Sequence, residues 1–289
     1  MNKQLETNIQ NTYGILGLDW LEKIPELIKE CSELWKLKDL KPLATMGYNY
    51  ILSGWRDLCP IVLKLGPEPW SLAQEARALE AFDNLGCVRL LAQKEGALLL
   101  ERATSLETLR SYFSEHENKS LAIFCELTSS LHQAKIHESF LNISDWLVEI
   151  DNNWDIPDRY LKKARMLKKE LLDSLGPLVL LHGDLHHDNI LRHEPNFIAI
   201  DPKGILGEAL YEAGVFVRSP HDLLAHNPKA EEIIKSRIVY ISNYFNAKPE
   251  RLLCWCFVQA VLAWIWAIQD NHDIQDFKKI TEILYKLLD

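Results

Sequence analysis

The 289-residue chain has no run of roughly eighteen uninterrupted apolar residues, and Met1 to Gln10 lacks a basic stretch leading into an apolar core. Neither a membrane partner nor an export leader is expected. Basic charge is scarce too: 32 Lys and Arg stand against 41 Asp and Glu, a formal net charge of −9. That leaves no electrostatic footprint for nucleic acid and favours a cationic or hydroxylated small molecule as partner. The six cysteines, Cys31, Cys59, Cys87, Cys125, Cys254 and Cys256, include no CxxC pair and sit mostly among apolar neighbours. They read as reduced core residues of a cytoplasmic protein. Cys254 and Cys256, two apart on a helical pattern, face different ways and make a poor metal pair. A GxGxxG phosphate loop is missing as well, since the turn Thr45-Met46-Gly47-Tyr48-Asn49-Tyr50 has a single glycine. A hydrophobic content of 47% excludes wholesale disorder and is enough for one large domain or two unequal lobes.

What is present is concentrated in Leu180-Leu181-His182-Gly183-Asp184-Leu185-His186-His187-Asp188-Asn189-Ile190-Leu191, followed by Ile198-Ala199-Ile200-Asp201-Pro202-Lys203-Gly204. Asn189 lies five residues and Asp201 seventeen residues past Asp184, between short apolar runs that look like strands. Phosphoryl transfer from a metal–nucleotide needs that set: one carboxylate to orient a hydroxyl and accept its proton, an amide oxygen and a second carboxylate to hold metal ions. Two other readings stand beside it. The polar residues could simply cap turns, or His182, Asp184, His186, His187 and Asp188 could form a zinc cluster of a metal hydrolase. The second leaves the apolar run Phe197–Ile200 and its terminal Asp201 unexplained.

Upstream, Leu21, Ile24, Leu27, Ile28, Cys31, Leu34 and Trp35 recur at helical spacing, predicting an amphipathic covering helix over 20–37. From Lys41 to Leu65 turn-bounded strands follow, ending in Pro60–Leu65. Lys64 in that strand is flanked by large apolar residues. It is either a sheet-edge lysine with its stem on apolar surface or, with Glu75 eleven residues on in the helical stretch 70–82, a pair that neutralises nucleotide phosphates. Glu80, five positions past Glu75, rotates off that helix face. Strands over 87–92 and 96–102 follow, joined at Gln93-Lys94-Glu95, and beyond Arg102 the strand signal gives way to helices. The boundary is therefore set between 1–102, a nucleotide-binding lobe with its N-terminal helix, and 103–289, a catalytic and substrate-binding lobe. The backbone around Glu101 and Ala103 is expected to form a hinge that meets an adenine ring.

In the second lobe helices are expected near 105–116, 119–136, 141–151, 157–175, 229–245, 249–269 and 274–288. Trp255, Phe257, Trp264 and Trp266 are embedded in aliphatic sequence and are assigned to core rather than to a ligand platform. A cationic acceptor would need carboxylates on its side of the site. Glu208, Glu212, Asp222 and Asp270 are the candidates, and the sequence does not choose among them.

The pattern HGDLHHDNIL followed by AIDPKGILGE resembles the aminoglycoside phosphotransferase superfamily, and within it the branch of streptomycin 6-phosphotransferases and aminoglycoside/hydroxyurea resistance kinases. Gly96–Ala103 and Gln259-Ala260-Val261-Leu262 are similar to that branch's hinge and C-terminal helix, so the resemblance spans about residues 40 to 272. It implies an α+β, bilobal protein-kinase-like fold with a small antiparallel-sheet N-lobe and a large, mainly helical C-lobe. It implies transfer of the ATP γ-phosphoryl to an alcohol, with streptomycin-like antibiotics as the first acceptors and small metabolic alcohols as the alternative. Asp184 would then be the base, Asn189 and Asp201 the Mg2+ ligands, and Lys64, oriented by Glu75, the phosphate contact. Gly47, Glu101 and Ala103 would line the nucleotide. His182 and His186 would support the loop, and His187 and Asp188 would be exposed. Lys203 would reach a phosphate, the metal-bound carboxylate or solvent. A non-catalytic kinase-like module is disfavoured because the whole set is present, and a monomer is expected.

Overall fold

A computed structural model describes residues 3–43, 47–136 and 140–288. Contacts divide the chain into two compact units, Met1–Thr104 and Ser105–Asp289.

In the first unit, helix α1 (Lys3–Trp35), broken at Gly14, precedes β1 (Leu37–Pro42), β2 (Tyr50–Arg56) and β3 (Cys59–Leu65). Helix α2 (Pro69–Ala81) follows, then β4 (Leu90–Lys94) and β5 (Ala97–Glu101). The strands form one sheet in the order β1-β2-β3-β5-β4, antiparallel throughout. Period-two alternation gives the sheet two working faces. Ile61, Leu63 and Leu65 of β3 pack with Leu5, Ile9, Leu21 and Ile24 of α1, so α1 covers one face, as its apolar spacing predicts. Lys64, between Leu63 and Leu65, is turned to the other face, where α2 lies. The helix begins seventeen residues earlier than the apolar spacing alone marks, at Lys3 rather than at 20. Strand β1 was not expected; its burial alternates poorly and the register with β2 shifts between Lys38 and Lys41. The turn between β4 and β5 falls at Glu95-Gly96, with Gln93 and Lys94 still in strand.

The second unit opens with a single 3-10 turn, Leu109–Tyr112, instead of the helix expected over 105–116. The main chain before it is already taken: Glu107 accepts from the Arg192 N–H at 2.8 Å, and Thr108 bridges to Leu191. Then come α3 (Glu117–Leu131), β6 (Leu141–Asn142), α4 (Ile143–Leu147), α5 (Asp158–Asp173), β7 (Leu178–Leu181), β8 (Ile190–His193), β9 (Asn196–Ala199) and β10 (Ile205–Glu208). The chain ends in α6 (Ala209–Val217), α7 (His221–Leu224), α8 (Ala230–Tyr244), α9 (Pro249–Gln269) and α10 (Gln275–Leu287). Helix α9 is apolar on nearly every side because it is the core. Trp255, Phe257 and Trp264 are fully buried on it, and α5, α6, α8 and α10 pack around it. It is also the one helix among the described residues long and apolar enough to cross a membrane, and 72% of that window is buried inside the protein.

Two small pairings position the chemistry. β10 runs antiparallel to β7 with Ile205 opposite Leu181, and β9 antiparallel to β8 with Ala199 opposite Ile190. The first register depends on Gly207, since a Cβ there would come within 2.6 Å of Ile143 Cγ2 and 2.7 Å of Leu181 Cδ1. Gly207→Ala is therefore expected to lower stability by about 1–3 kcal/mol through overpacking. Urea unfolding of the variant against the parent measures it; an unchanged midpoint would show that Ile143 and Leu181 yield freely.

Candidate active site

In the first unit the site is the Lys64–Glu75 pair. Leu72, Glu75, Ala76 and Leu79 form the buried face of α2 at helical spacing, so Glu75 sits inside an apolar stripe, while Glu80 is exposed. Lys64 Nζ donates to Glu75 Oε2 at 2.5 Å, and both side chains are almost fully enclosed, 5% and 7% exposed. Such a pair is kept charged by mutual proximity, and removing one partner strands the other. The surrounding expectations fare differently. Gly47 lies exposed in a bend, and a Cβ there would meet nothing within 4 Å. Among the described residues no steric demand for glycine exists at that point, and Thr45 and Met46 of the same turn fall outside them. The Glu101 carboxylate accepts from Arg89 Nε at 3.3 Å and from the Arg89 main-chain N–H at 3.2 Å. Ala103, half-buried, belongs to the last residues of this unit, which ends at Thr104, two residues beyond the expected boundary.

In the second unit the two motifs meet because of the strand registers. His182 follows Leu181 at the end of β7 and Gly204 precedes Ile205 at the start of β10, so the His182 carbonyl accepts from Lys203 N–H at 2.7 Å and Gly204 N–H at 3.4 Å. One step beyond the β8–β9 ladder, Ile200 N–H donates to the Asn189 carbonyl at 3.0 Å, which brings Asn189 beside the residue preceding Asp201. The His182 ring closes the circuit. Its Nδ1 accepts from the Asp184 N–H at 3.3 Å, so the proton belongs on Nε2, which reaches the Ile200 carbonyl at 2.9 Å. Burial keeps this imidazole neutral, pushing its pKa below the ordinary value.

Asp184 itself is about one-third exposed, with His186 Nε2 3.7 Å from its Oδ2. Its main-chain carbonyl accepts from Asn189 Nδ2 at 2.9 Å. That bond uses the nitrogen end of the Asn189 amide and orients its oxygen as the remaining function. Asp201 adopts a left-handed backbone, φ +62°, and Lys203 Nζ lies 3.0 Å from its Oδ2. Gly183, φ +86°, has a backbone that strains any side chain, and a Cβ would be a tight 3.1 Å from Trp146 Cη2 and from Ile205 Cγ2. Trp146 in turn makes an edge contact with half-buried Trp266, centroids 5.6 Å apart.

The zinc-cluster reading does not fit this geometry. His182 and His187 are fully buried, and among the described residues no three His, Cys, Asp or Glu side chains converge as a metal site. His187 was expected to be exposed. Instead it stacks on Phe216 with centroids 4.1 Å apart, 3.5 Å from the Arg237 guanidinium, and burial holds its pKa well below the usual histidine range. An amide oxygen and one carboxylate are a poor cage for zinc. They suit a hard cation that keeps water and phosphate oxygens as its other ligands, as Mg2+ does.

Three of the four proposed substrate carboxylates are committed elsewhere. Glu212 is completely buried on α6 and accepts from the His182 N–H at 2.6 Å and the Gly183 N–H at 3.0 Å, holding the start of the loop that carries Asp184. Glu208 accepts from Arg251 Nε at 2.6 Å and Nη2. Asp222 pairs with Arg110, which also donates to Asp188 Oδ2 at 3.1 Å, so Asp188 is partly covered rather than free at the surface. Burial works against the Asp222 charge, but Arg110 outweighs it and holds that carboxyl below its ordinary value. Asp270, partly exposed, stands at the C-terminal end of α9. Sequence reasoning missed Arg110 and the supporting role of Glu212 because neither lies within a motif; the one available signal was the unbroken apolar context of Glu212.

A strand lysine bonded to a helix glutamate, and an Asp, an Asn and a second Asp brought together by the β7–β10 and β8–β9 pairings, mark a phosphotransferase of kinase-like α+β fold. The crystal structure of aminoglycoside phosphotransferase APH(4)-Ia matches with a TM-score of 0.70 at 14% identity, covering 91% of this chain and 98% of that one. Choline kinase LicA from Streptococcus pneumoniae matches at 0.67 and 18%, covering 91% and 99%. A thermostable APH(4)-Ia mutant has been solved with ADP and hygromycin B. A sequence model of the aminoglycoside/hydroxyurea antibiotic resistance kinase family matches residues 35–271, and the chain belongs to that family of ATP-dependent phosphotransferases. Streptomycin 3''-kinase of Klebsiella pneumoniae is 29% identical over 83% of this chain and 91% of its own length. Hydroxyurea phosphotransferase of Kitasatospora aureofaciens is 26% identical over 90% and 77%.

Two outcomes follow from this geometry. Glu75→Gln, which leaves Lys64 charged and enclosed, is expected to cost about 3–5 kcal/mol in urea unfolding; a loss below about 1 kcal/mol would mean that water reaches the pair. Acid should also destabilise the fold. His182, His187 and His221 all have folded pKa values below the ordinary 6.5, through burial. Above that value neither state binds a proton. As pH falls through it the unfolded chain takes up protons that the folded one refuses, so stability is full above pH 6.5 and drops below it. Urea midpoints at about pH 7.5 and about pH 5.5 test this, and a midpoint that holds or rises in acid would contradict it.

Proposed function

We propose that this protein transfers the γ-phosphoryl group of ATP to a hydroxyl of a small molecule, with an aminoglycoside-type, streptomycin-like acceptor as the first reading. The observation that carries the reaction class is the pair of strand-end segments whose Asp184, Asn189 and Asp201 are linked through His182, Ile200 and the Asn189 amide. Asp184 is the group that orients the acceptor hydroxyl and takes up its proton. Lys64, held by Glu75, binds and neutralises nucleotide phosphate oxygens, and the main chain at Ala103 supplies the adenine contact. Asn189 and Asp201 are the residues that would hold Mg2+, which when bound neutralises charge on the phosphates. The remaining work of this chain is positioning: His182 fixes the loop, and Glu212 fixes His182 and Gly183. The scattered cysteines, without a CxxC pair, are the support for a cytoplasmic setting.

A second reading, a neutral or anionic metabolic alcohol as acceptor, is favoured by one observation. Glu208, Glu212 and Asp222, which a polycation would call on, are already engaged. The deciding assay is incubation with ATP and Mg2+ and a panel of streptomycin, other aminoglycosides, hydroxyurea and small alcohols, read by mass spectrometry for a phosphate gain. Asp184→Asn should slow the chemical step by roughly 10²–10⁴-fold with an unchanged unfolding curve. Parent-like turnover in that variant would remove Asp184 from the role of base.

A further inference from the structure

Tryptophan serves two purposes in the second unit. Trp255 and Trp264 are sealed inside α9, but Trp146 on α4 and Trp266 near the end of α9 are only half-buried and stand as a pair, ring centroids 5.6 Å apart and planes at 83°. Their place is beside the reacting loop. A Cβ built on Gly183, the residue before Asp184, would come within 3.1 Å of Trp146 Cη2, so the six-membered ring of that indole ends against the loop. Both carriers are held there. Asn142 and Asp145 cap the start of α4 reciprocally, Asn142 Oδ1 accepting from the Ser144 N–H at 3.2 Å and Asp145 Oδ2 from the Asn142 N–H at 2.8 Å. Gln269 Nε2 donates to Glu149 Oε2 at 3.2 Å and ties the end of α9 to the turn that follows α4.

Packing alone offers a bland account, since so large a side chain is seldom fully enclosed. Charge argues for more. The two stretches that carry the pair, 143–156 and 252–277, contain four and three Asp or Glu respectively and no Lys or Arg. From outside them, Lys168 meets Asp151 and His226 meets Asp276, and the balance around the pair stays acidic. Lys203, which also borders Gly183, has its Nζ 3.0 Å from Asp201. Asp270 stands one turn past Trp266, its N–H on the Trp266 carbonyl at 2.9 Å, at a helix C-terminus where the backbone dipole favours a cation. Meanwhile Glu208, Glu212 and Asp222, which would receive ammonium groups, are engaged elsewhere. At close range the ground beside Gly183 thus offers indole faces in a negative field. A guanidinium suits them, being planar, weakly hydrated and able to stack on a ring, whereas an ammonium is compact and strongly hydrated.

We propose that Trp146 and Trp266 form an acceptor subsite in which a guanidinium group of the molecule whose hydroxyl faces Asp184 stacks against an indole. The proposal rests on the reading of Asp184 as the base and narrows its acceptor to a guanidinium-bearing alcohol.

The test uses the full chain without nucleotide and three probes built on one ring of hydroxyls: scyllo-inositol, streptamine and streptidine, which carry no cation, two ammonium groups and two guanidinium groups. Calorimetric titration should place streptidine first, about tenfold tighter than streptamine, the size of a cation–π contact, with scyllo-inositol last. Trp146→Leu should erase the advantage of streptidine over streptamine, and Trp146→Phe should keep part of it. Trp266→Leu, which leaves the contact with Gly183 in place, should shrink the same advantage and decides the matter if Trp146→Leu does not fold. Failure of streptidine to bind, equal affinities for streptidine and streptamine, a uniform loss across the probes in the variants, or an advantage that survives either leucine change overturns the proposal. No phosphoryl group moves in this experiment. A streptidine preference without phosphate gain from ATP would sink the reading of Asp184 and leave the subsite, and phosphate gain on an alcohol without a streptidine preference would do the reverse.

Discussion

The bond between the Glu212 carboxylate and the amides of His182 and Gly183 is the contact on which the rest of the site depends. An ionised carboxylate without solvent is tolerated only where donors surround it, and here the donors are the backbone of the loop that carries Asp184. The same residue, His182, then binds both ends of the second motif, through its carbonyl to Lys203 and Gly204 and through its ring to Ile200. One buried anion on α6 thereby sets the path of two strands' ends, and the exposed groups inherit their positions from it.

Local chemistry explains which parts of this were legible in the sequence. Lys64 and Glu75 could be read because a strand alternates with period two and a helix with period 3.6, so their faces follow from spacing alone. Asp184, Asn189 and Asp201 could be read because the chemistry demands those atom types between strands. The helix expected at 105–116 fails because periodicity cannot see that Glu107 and Thr108 are taken up by β8. His187 was placed outside because a histidine beside an aspartate looks polar, and only the fold reveals Phe216 stacked beneath it.

The carboxylates show the same limit from another side. Glu208, Glu212 and Asp222 form an acidic group in the sequence, yet each answers to a different donor: a guanidinium from α9, two main-chain amides, and Arg110. Net charge describes the molecule as seen from a distance, and −9 is an accurate far-field value. What a bound molecule meets is the remainder after internal pairing. That remainder is set by residues more than a hundred positions apart, as Arg110 and Asp222 are, and no linear spacing encodes it.

The pairing of β7 with β10 and of β8 with β9 carries one further implication. Counting inward from Leu181–Ile205 and outward from Ile190–Ala199, nearly every residue between 182 and 204 is pinned to a partner across a ladder or within the loop. The hairpin turn at Glu194-Pro195, beyond the His193–Asn196 pair, is where chain length can change without moving a reacting group. Insertions elsewhere in the segment would have to dislodge a ladder or one of the loop's hydrogen bonds.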